Sequence, residues 1–225
     1  MRIYLTTTKN VATVPFNYQQ KLVGILNKWL GKSNEEHGFL SLYSFSWLHN
    51  GRLIEGGLDF PNGAKWFISF YDESKIKNIV NNILDDPEMF SGMFVSEITI
   101  EKTPDLSNKE LFNLASPIFI KRFIKKDGSH NRYMQYTFDN LEANELMKET
   151  LVHKMKIANL EDDKSLEIKF DLSYVGKKTK LISYKNIKNK ASYCPVIIKG
   201  KPETKAFAWD VGIGNSTGVG FGAID

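Results

Sequence analysis

The sequence predicts an α+β fold of two ferredoxin-like (βαββαβ) domains in tandem, and three observations predict it. Two amphipathic helical stripes in the first hundred residues alternate with runs of β-forming residues. Thr103-Pro104-Asp105 then breaks the pattern. Beyond that break the same order of strands and helices begins again. The expected domains are residues 1–103 and 104–225, the duplication being one of element order without a visible repeat of residues.

Residues 2–8 are rich in β-formers and read as the first strand. Tyr18, Leu22, Ile25, Leu26 and Trp29 recur at helical spacing, and Gly31 follows as a C-cap. Three strands come next, with hairpin signals at Asn50-Gly51 and Asn62-Gly63. Asp72 is the expected N-cap of a second helix carrying Ile76, Ile79, Val80, Ile83 and Leu84, which ends at Asp86-Pro87. Residues 94–101 alternate as a strand. In the second half, extended segments are expected at 112–124 and 131–138, and a helix over about 140–158 with Leu146, Met147, Thr150, Leu151 and Met155 inward. Strands near 165–175, 179–186 and 191–200, a short helix after Pro202, a glycine-rich loop and a last strand at 219–224 complete the order.

Composition excludes several classes. No apolar run approaches the roughly 18 residues of a membrane span, and Met1–Asn10 lacks the apolar core of a secretory signal. Cys194 is alone and there are four histidines, so neither a disulfide framework nor a metal site is expected, and the location reads as cytoplasmic. The net charge of +4 is unevenly spread. Residues 1–110 hold 11 basic and 13 acidic side chains, residues 111–225 hold 19 and 13, and residues 164–205 hold 11 lysines against three acids. A basic stretch of this kind suits a polyanion, although lysines solvating exposed hairpins produce the same count.

Five glycines fall within residues 212–222. They permit positive φ and bring backbone N–H groups close to an anion. A dinucleotide cradle requires a long helix after such glycines, whereas only a short strand is expected here, and no Gly-Lys-Ser/Thr of a P-loop is present. The plain alternative is a tightly packed turn without a ligand.

The pattern Gly212-x-Gly214-x-x-x-x-Gly218-x-Gly220-Phe221-Gly222 resembles the C-terminal signature of the RAMP superfamily. Within it, the chain resembles the CRISPR-associated endoribonucleases that release guide RNAs from the repeat transcript. Val14-Pro15-Phe16-Asn17-Tyr18-Gln19, Leu42-Tyr43-Ser44-Phe45-Ser46 and Leu114-Ala115-Ser116-Pro117-Ile118 agree in the same order. The resemblance implies a metal-independent, cofactor-free ribonuclease acting on CRISPR precursor RNA and holding the mature guide. It also admits effector-complex subunits or a second copy as partners, and no membrane. Its chemistry would be attack of a 2′-hydroxyl on the adjacent phosphate, giving a 2′,3′-cyclic phosphate and a 5′-hydroxyl.

On this resemblance His37, six residues before Tyr43, is the expected catalytic acid or base, with His49 as the rival. The tyrosine and lysine that assist it in some members are replaced by Asn27 and Ser41, leaving Lys28 or Arg52 as substitute cations. RNA contacts are expected from Gly212, Gly214, Asn215, Ser216, Thr217, Gly218 and Gly220, and from Lys121, Arg122, Lys125 and Lys126. Tyr184 and Tyr193 are candidates for base stacking, while burial is the expected use of Trp209. A non-catalytic RAMP subunit, or an unrelated two-domain RNA-binding module, would share the loop and the basic half.

Overall fold

A computed structural model of the protein describes residues 1–31, 40–124 and 132–225. Its first unit runs β1 (Arg2–Thr7), α1 (Gln19–Leu30), β2 (Tyr43–Phe45), β3 (Arg52–Ile54), β4 (Gly57–Asp59), β5 (Lys65–Phe70), α2 (Ser74–Asp85) and β6 (Val95–Glu101). Strands β2, β5, β1 and β6 form one antiparallel sheet in that spatial order, the 2-3-1-4 arrangement of a ferredoxin-like unit. The strands β3 and β4 form a separate hairpin.

Strand periodicity sorts the side chains of this sheet. Ile3, Leu5, Phe45, Trp66, Ile68 and Phe70 face the helices and bury Leu22, Leu26, Trp29, Ile76, Ile79 and Ile83. Each large apolar side chain buried in this way contributes about 2 kcal/mol before chain entropy is counted. Alternate residues Arg2, Ser44, Phe67 and Ser69 point the other way and are also buried. Their cover is the second unit.

That unit runs β7 (Leu111–Phe112), β8 (Ile118–Ile124), β9 (Arg132–Tyr136), α3 (Glu142–Ile157), β10 (Glu167–Phe170), β11 (Lys178–Tyr184), β12 (Ile187–Tyr193), β13 (Val196–Lys199) and α4 (Pro202–Val211). A sheet of order β10-β13-β7 is extended past β7 by the Leu114–Ile224 bridge and the paired amides of Asn113 and Asp225. This repeats the 2-3-1-4 order. Two hairpins inserted into it, β8-β9 and β11-β12, make a second four-stranded sheet, β11-β12-β8-β9. The chain crosses between the sheets at Ser116-Pro117, where Ser116 Oγ accepts the amide of Ala223 at 2.9 Å.

Local expectations differ from the fold in several places: the residue capping α2 is Glu73 rather than Asp72, the segments expected at 112–124 and 191–200 are each broken into two strands, and a turn and the last strand are placed differently. The hairpin turn lies at Glu55-Gly56, between β3 and β4, rather than at Asn50-Gly51. Gly51 instead lies against the ring of Phe60, which is fully buried and fixes the register. The expected strand at 219–224 is a 3-10 turn at Thr217–Val219 followed by pairing only over residues 223–225. Positive φ at Gly220 (86°) and Gly222 (68°) prevents an extended run between them.

The units are joined through Arg2, whose side chain has no solvent exposure. Its guanidinium donates to Ser69 Oγ (3.2 Å), Trp209 O (3.1 Å), Ile224 O (2.9 Å) and Asp225 Oδ1 (3.0 Å). It stacks 3.3 Å from the centre of the Trp209 ring and 3.7 Å from that of Phe67. Ser44 Oγ donates to Asp210 O nearby at 3.0 Å. The buried use expected of Trp209 is therefore this stack.

Candidate nucleic-acid interface

The glycine-rich loop leaves the C-terminus of α4 and threads between the two units. On its first-unit side, Gln19 Nε2 donates to Val219 O (2.5 Å) and Trp47 Nε1 donates to Gly220 O (2.9 Å). On its second-unit side, the amide of Asn215 donates to Phe119 O (2.8 Å), and Asn215 Oδ1 accepts the amide of Lys121 (2.8 Å). Two glycines show why no other residue fits. A Cβ on Gly218 would collide with Ser41 Oγ, and one on Gly214 (φ 80°) would lie 2.6 Å from Phe119 O.

This geometry revises the expected grip. The amides of Gly212, Ile213, Asn215, Val219, Gly220 and Gly222 already bond to protein carbonyls, so they are not free for an anion. Thr217 is buried, and its Oγ1 accepts a hydrogen bond from Lys154 at 2.9 Å. Asn215, Ser216 and Val219 are the part-exposed residues of the loop, with Ser216 held in the left-handed region at φ 61°. Among the described residues, the amides of Gly214, Ser216, Thr217 and Gly218 make no backbone hydrogen bond. The edge offered outward is thus narrower than residues 212–220 and is centred on Ser216.

Beside it lies one face of the inserted sheet. Phe119 packs on Phe221 of the loop, with ring centres 5.2 Å apart. Lys121 and Phe123 follow on the same face of β8 and pair with Gln135 and Tyr133. The rings of Phe123 and Tyr133 meet edge to face at 5.4 Å, and Lys121 Nζ lies 4.9 Å from the Tyr133 ring centre. Across the sheet, Lys178 and Lys180 lie over Tyr193, and Lys180 also reaches Trp47 at 5.0 Å. Burial, together with Lys178, lowers the pKa of Lys180. A groove of about 370 Å³ continues from there between the units, lined by Phe16, Asn17, Gln19, Trp47, Lys180 and Ser183 among others. Lysines interleaved with exposed rings are what unpaired nucleotides require: cations for phosphates and flat surfaces for bases.

The remaining expected residues divide. His37, Lys125 and Lys126 lie outside the described residues. The described chain resumes at Leu40, and the next residue, Ser41, sits against Gly218. His49 is exposed and exchanges backbone hydrogen bonds with Lys65, at the far end of the β2-β5 pairing from Tyr43. Partial burial lowers its pKa, and Asp225 opposes that shift. Lys28 lies with Asp86 Oδ2 (3.0 Å) and Glu88 O (2.6 Å), and Arg52 with Asp59 (2.7 Å), in solvent-exposed pairs. Arg122 pairs with Glu149 at 3.4 Å. Tyr193 is part-exposed under its two lysines, and Tyr184 is also part-exposed.

Sequence reasoning passed over Gln19, Trp47 and Lys154. Gln19 had a signal, since it closes the Pro-Phe-Asn-Tyr-Gln stretch. Lys154 had one as well, because it stands three residues after Leu151 and seven after Met147 on the inward stripe.

Comparison with known proteins agrees with this architecture. A CRISPR-associated endoribonuclease-like protein Cas6 from Pyrococcus furiosus is 25% identical over 238 residues, covering 100% of this chain and 97% of its own. A related protein named Cas6nc, from Pyrococcus horikoshii, is 22% identical and covers 100% and 98%. A solved structure described as a RAMP protein binding different RNA substrates superposes with a TM-score of 0.86 at 20% identity, covering 100% and 98%. The profile described as CRISPR associated protein Cas6, C-terminal, matches residues 101–225, more than half of the sequence. The chain belongs to the Cas6 family of CRISPR-associated proteins.

Proposed function

We propose that this protein is an endoribonuclease that cuts CRISPR repeat RNA in the precursor transcript and retains the guide RNA it releases. In this reading a ribose 2′-hydroxyl attacks the neighbouring phosphate without a metal, leaving a 2′,3′-cyclic phosphate and a 5′-hydroxyl. The observation that carries it is the glycine-rich loop lodged between both units beside a face of lysines and aromatic rings. Two further findings support it: the endoribonuclease-like relative and the RNA-binding RAMP structure of the same fold.

His37 is the proposed acid or base, since imidazole exchanges a proton near neutral pH. The packing of Ser41 on Gly218 supports this choice, because the segment carrying His37 rejoins the described chain beside the loop. His49 is the weaker candidate, being tied to Lys65 at the other end of the strand pairing. Ser216 and the amides near it are the proposed phosphate contacts, with Lys121, Lys178 and Lys180 extending the path.

A second reading, a RAMP subunit that binds repeat RNA without cutting it, is favoured by Asn27 and Ser41 at the helper positions. One experiment separates the two. The protein is incubated with its own repeat RNA in excess EDTA. Cleavage at one site with a cyclic-phosphate end is expected, and His37→Ala is expected to abolish it while RNA is still bound. Tight binding with no cleavage by the unmodified protein would select the second reading.

A further inference from the structure

Beneath the glycine-rich loop sits an ammonium group with no carboxylate partner among the described residues. Lys154 projects from α3, and its residue is 1% exposed. Its ammonium donates to Val211 O (2.8 Å), Gly212 O (3.3 Å) and Thr217 Oγ1 (2.9 Å). Three acceptors match the three protons of an ammonium. Two of the acceptors are carbonyls at the C-terminal end of α4, where the helix dipole is negative and favours a cation. They satisfy its hydrogen bonds but do not cancel its charge.

The charged groups on the surrounding elements are directed elsewhere. Asp210 of α4 holds the amino group of Met1 and Thr103, and Lys205 caps the carbonyls of Ser107 and Lys109. On β8, Arg122 pairs with Glu149 of α3, and Lys121 lies over Tyr133. On β10, Lys169 pairs with Glu167. Residues 212–222 of the loop contain no titratable side chain. On α3 itself, the adjacent His153 and Lys156 are both exposed. Burial alone lowers the pKa of Lys154, to about 7.

We propose that Lys154 is the buried cation of an RNA-phosphate site on the glycine-rich loop, so that a phosphate on the loop's outer edge and a proton on Nζ bind together. This rests on the RNA-binding reading above and adds to it a residue and a linkage. The phosphate supplies the negative charge that the described surroundings of the ammonium lack. By reciprocity, it holds the proton on Nζ at a pH where the free protein has begun to release it. Lys154 is a positioning residue rather than a catalytic one, since Thr217 and the loop backbone stand between it and the RNA.

The test measures affinity for the repeat RNA between pH 6.5 and 9 for the unmodified protein, Lys154→Arg and Lys154→Met. The expected result is a loss of about tenfold per pH unit above neutrality in the unmodified protein, the limit for one linked proton. Lys154→Arg, charged throughout, should remove that loss, and Lys154→Met should bind weakly and evenly at every pH. Because a buried substitution can disturb the fold, proton uptake is also measured on the unmodified protein, by calorimetry at pH 8 in two buffers of different ionisation enthalpy. Uptake of a substantial fraction of one proton is expected. Tight binding without uptake, or the same pH profile in a folded Lys154→Arg, would overturn the linkage and leave RNA binding intact. Failure of the unmodified protein to bind at any pH would overturn the RNA reading itself.

Discussion

Replacing Arg2 with alanine should cost about 4 kcal/mol of stability, and the structure shows where that figure originates. Two buried carbonyls, of Trp209 and Ile224, lose their donor, at about 1–3 kcal/mol each. The guanidinium also leaves two close ring contacts, worth about 2 kcal/mol for a desolvated cation. Against these losses stands the relief of a buried charge, the same desolvation that lowers the pKa of Arg2. The ion pair with Asp225 adds little, because that carboxylate is 62% exposed and screened by water. Asp225→Asn should therefore cost less than about 1 kcal/mol. Urea unfolding monitored by tryptophan fluorescence distinguishes the two, with a midpoint about 1.5–2 M lower for Arg2→Ala. The variant should also unfold in separate steps, as its two units uncouple. An Arg2→Ala protein within 1 kcal/mol of the original, or no more affected than Asp225→Asn, would refute the assignment of Arg2 as the joint between them.

Other perturbations read other parts of the molecule. Gly214→Ala forces a side chain into left-handed backbone and against Phe119 O, and should lower the melting temperature and weaken RNA binding together. Tyr133→Ala removes an exposed ring and should weaken binding of unpaired RNA about tenfold in a filter assay, while Lys121→Gln should reduce the salt slope by about one. Burial acts to raise the pKa of Asp163, but hydrogen bonds from Ser165, the amide of Lys201 and Thr204 outweigh it and bring the value from 3.8 to about 2. The stability from this depressed pKa is complete above about pH 4 and is lost as pH falls toward 2. Asp163→Asn should flatten the acid limb of a urea-midpoint profile across that window.

Much of the fold could be read from the sequence because its signals are local. The stripe from Leu22 to Trp29 and the run of β-formers at Arg2–Thr7 depend only on local residue pattern, and the first unit follows them. Turn placement was less legible. Asn50-Gly51 carries the stronger dipeptide signal, yet the β3-β4 pairing turns at Glu55-Gly56 and Gly51 lies against the buried ring of Phe60. The glycine-rich loop was found by composition, but its surroundings were not. Which of its amides are taken depends on Phe119 and Pro117, and the Val219 carbonyl is taken by Gln19, all distant in sequence. Lysines were the least readable residues of all. Lys154 and Lys205 count toward the basic half on paper, although both ammonium groups are turned inward onto backbone carbonyls.

The loop also imposes an order on how the molecule is completed. Gln19, Trp47 and Arg2 find their partners only when residues 209–224 have been made, at sequence separations of 173 to 222. Until then the inner face of the first sheet, with Phe67 and Ser69 on it, lacks the part of its cover that Trp209, Asp210 and Ala223 supply. A nascent chain therefore carries an exposed flank that chaperones can recognise, and chains released early keep that flank. Loss of the glycine-rich segment and loss of the contacts that join the units are one event.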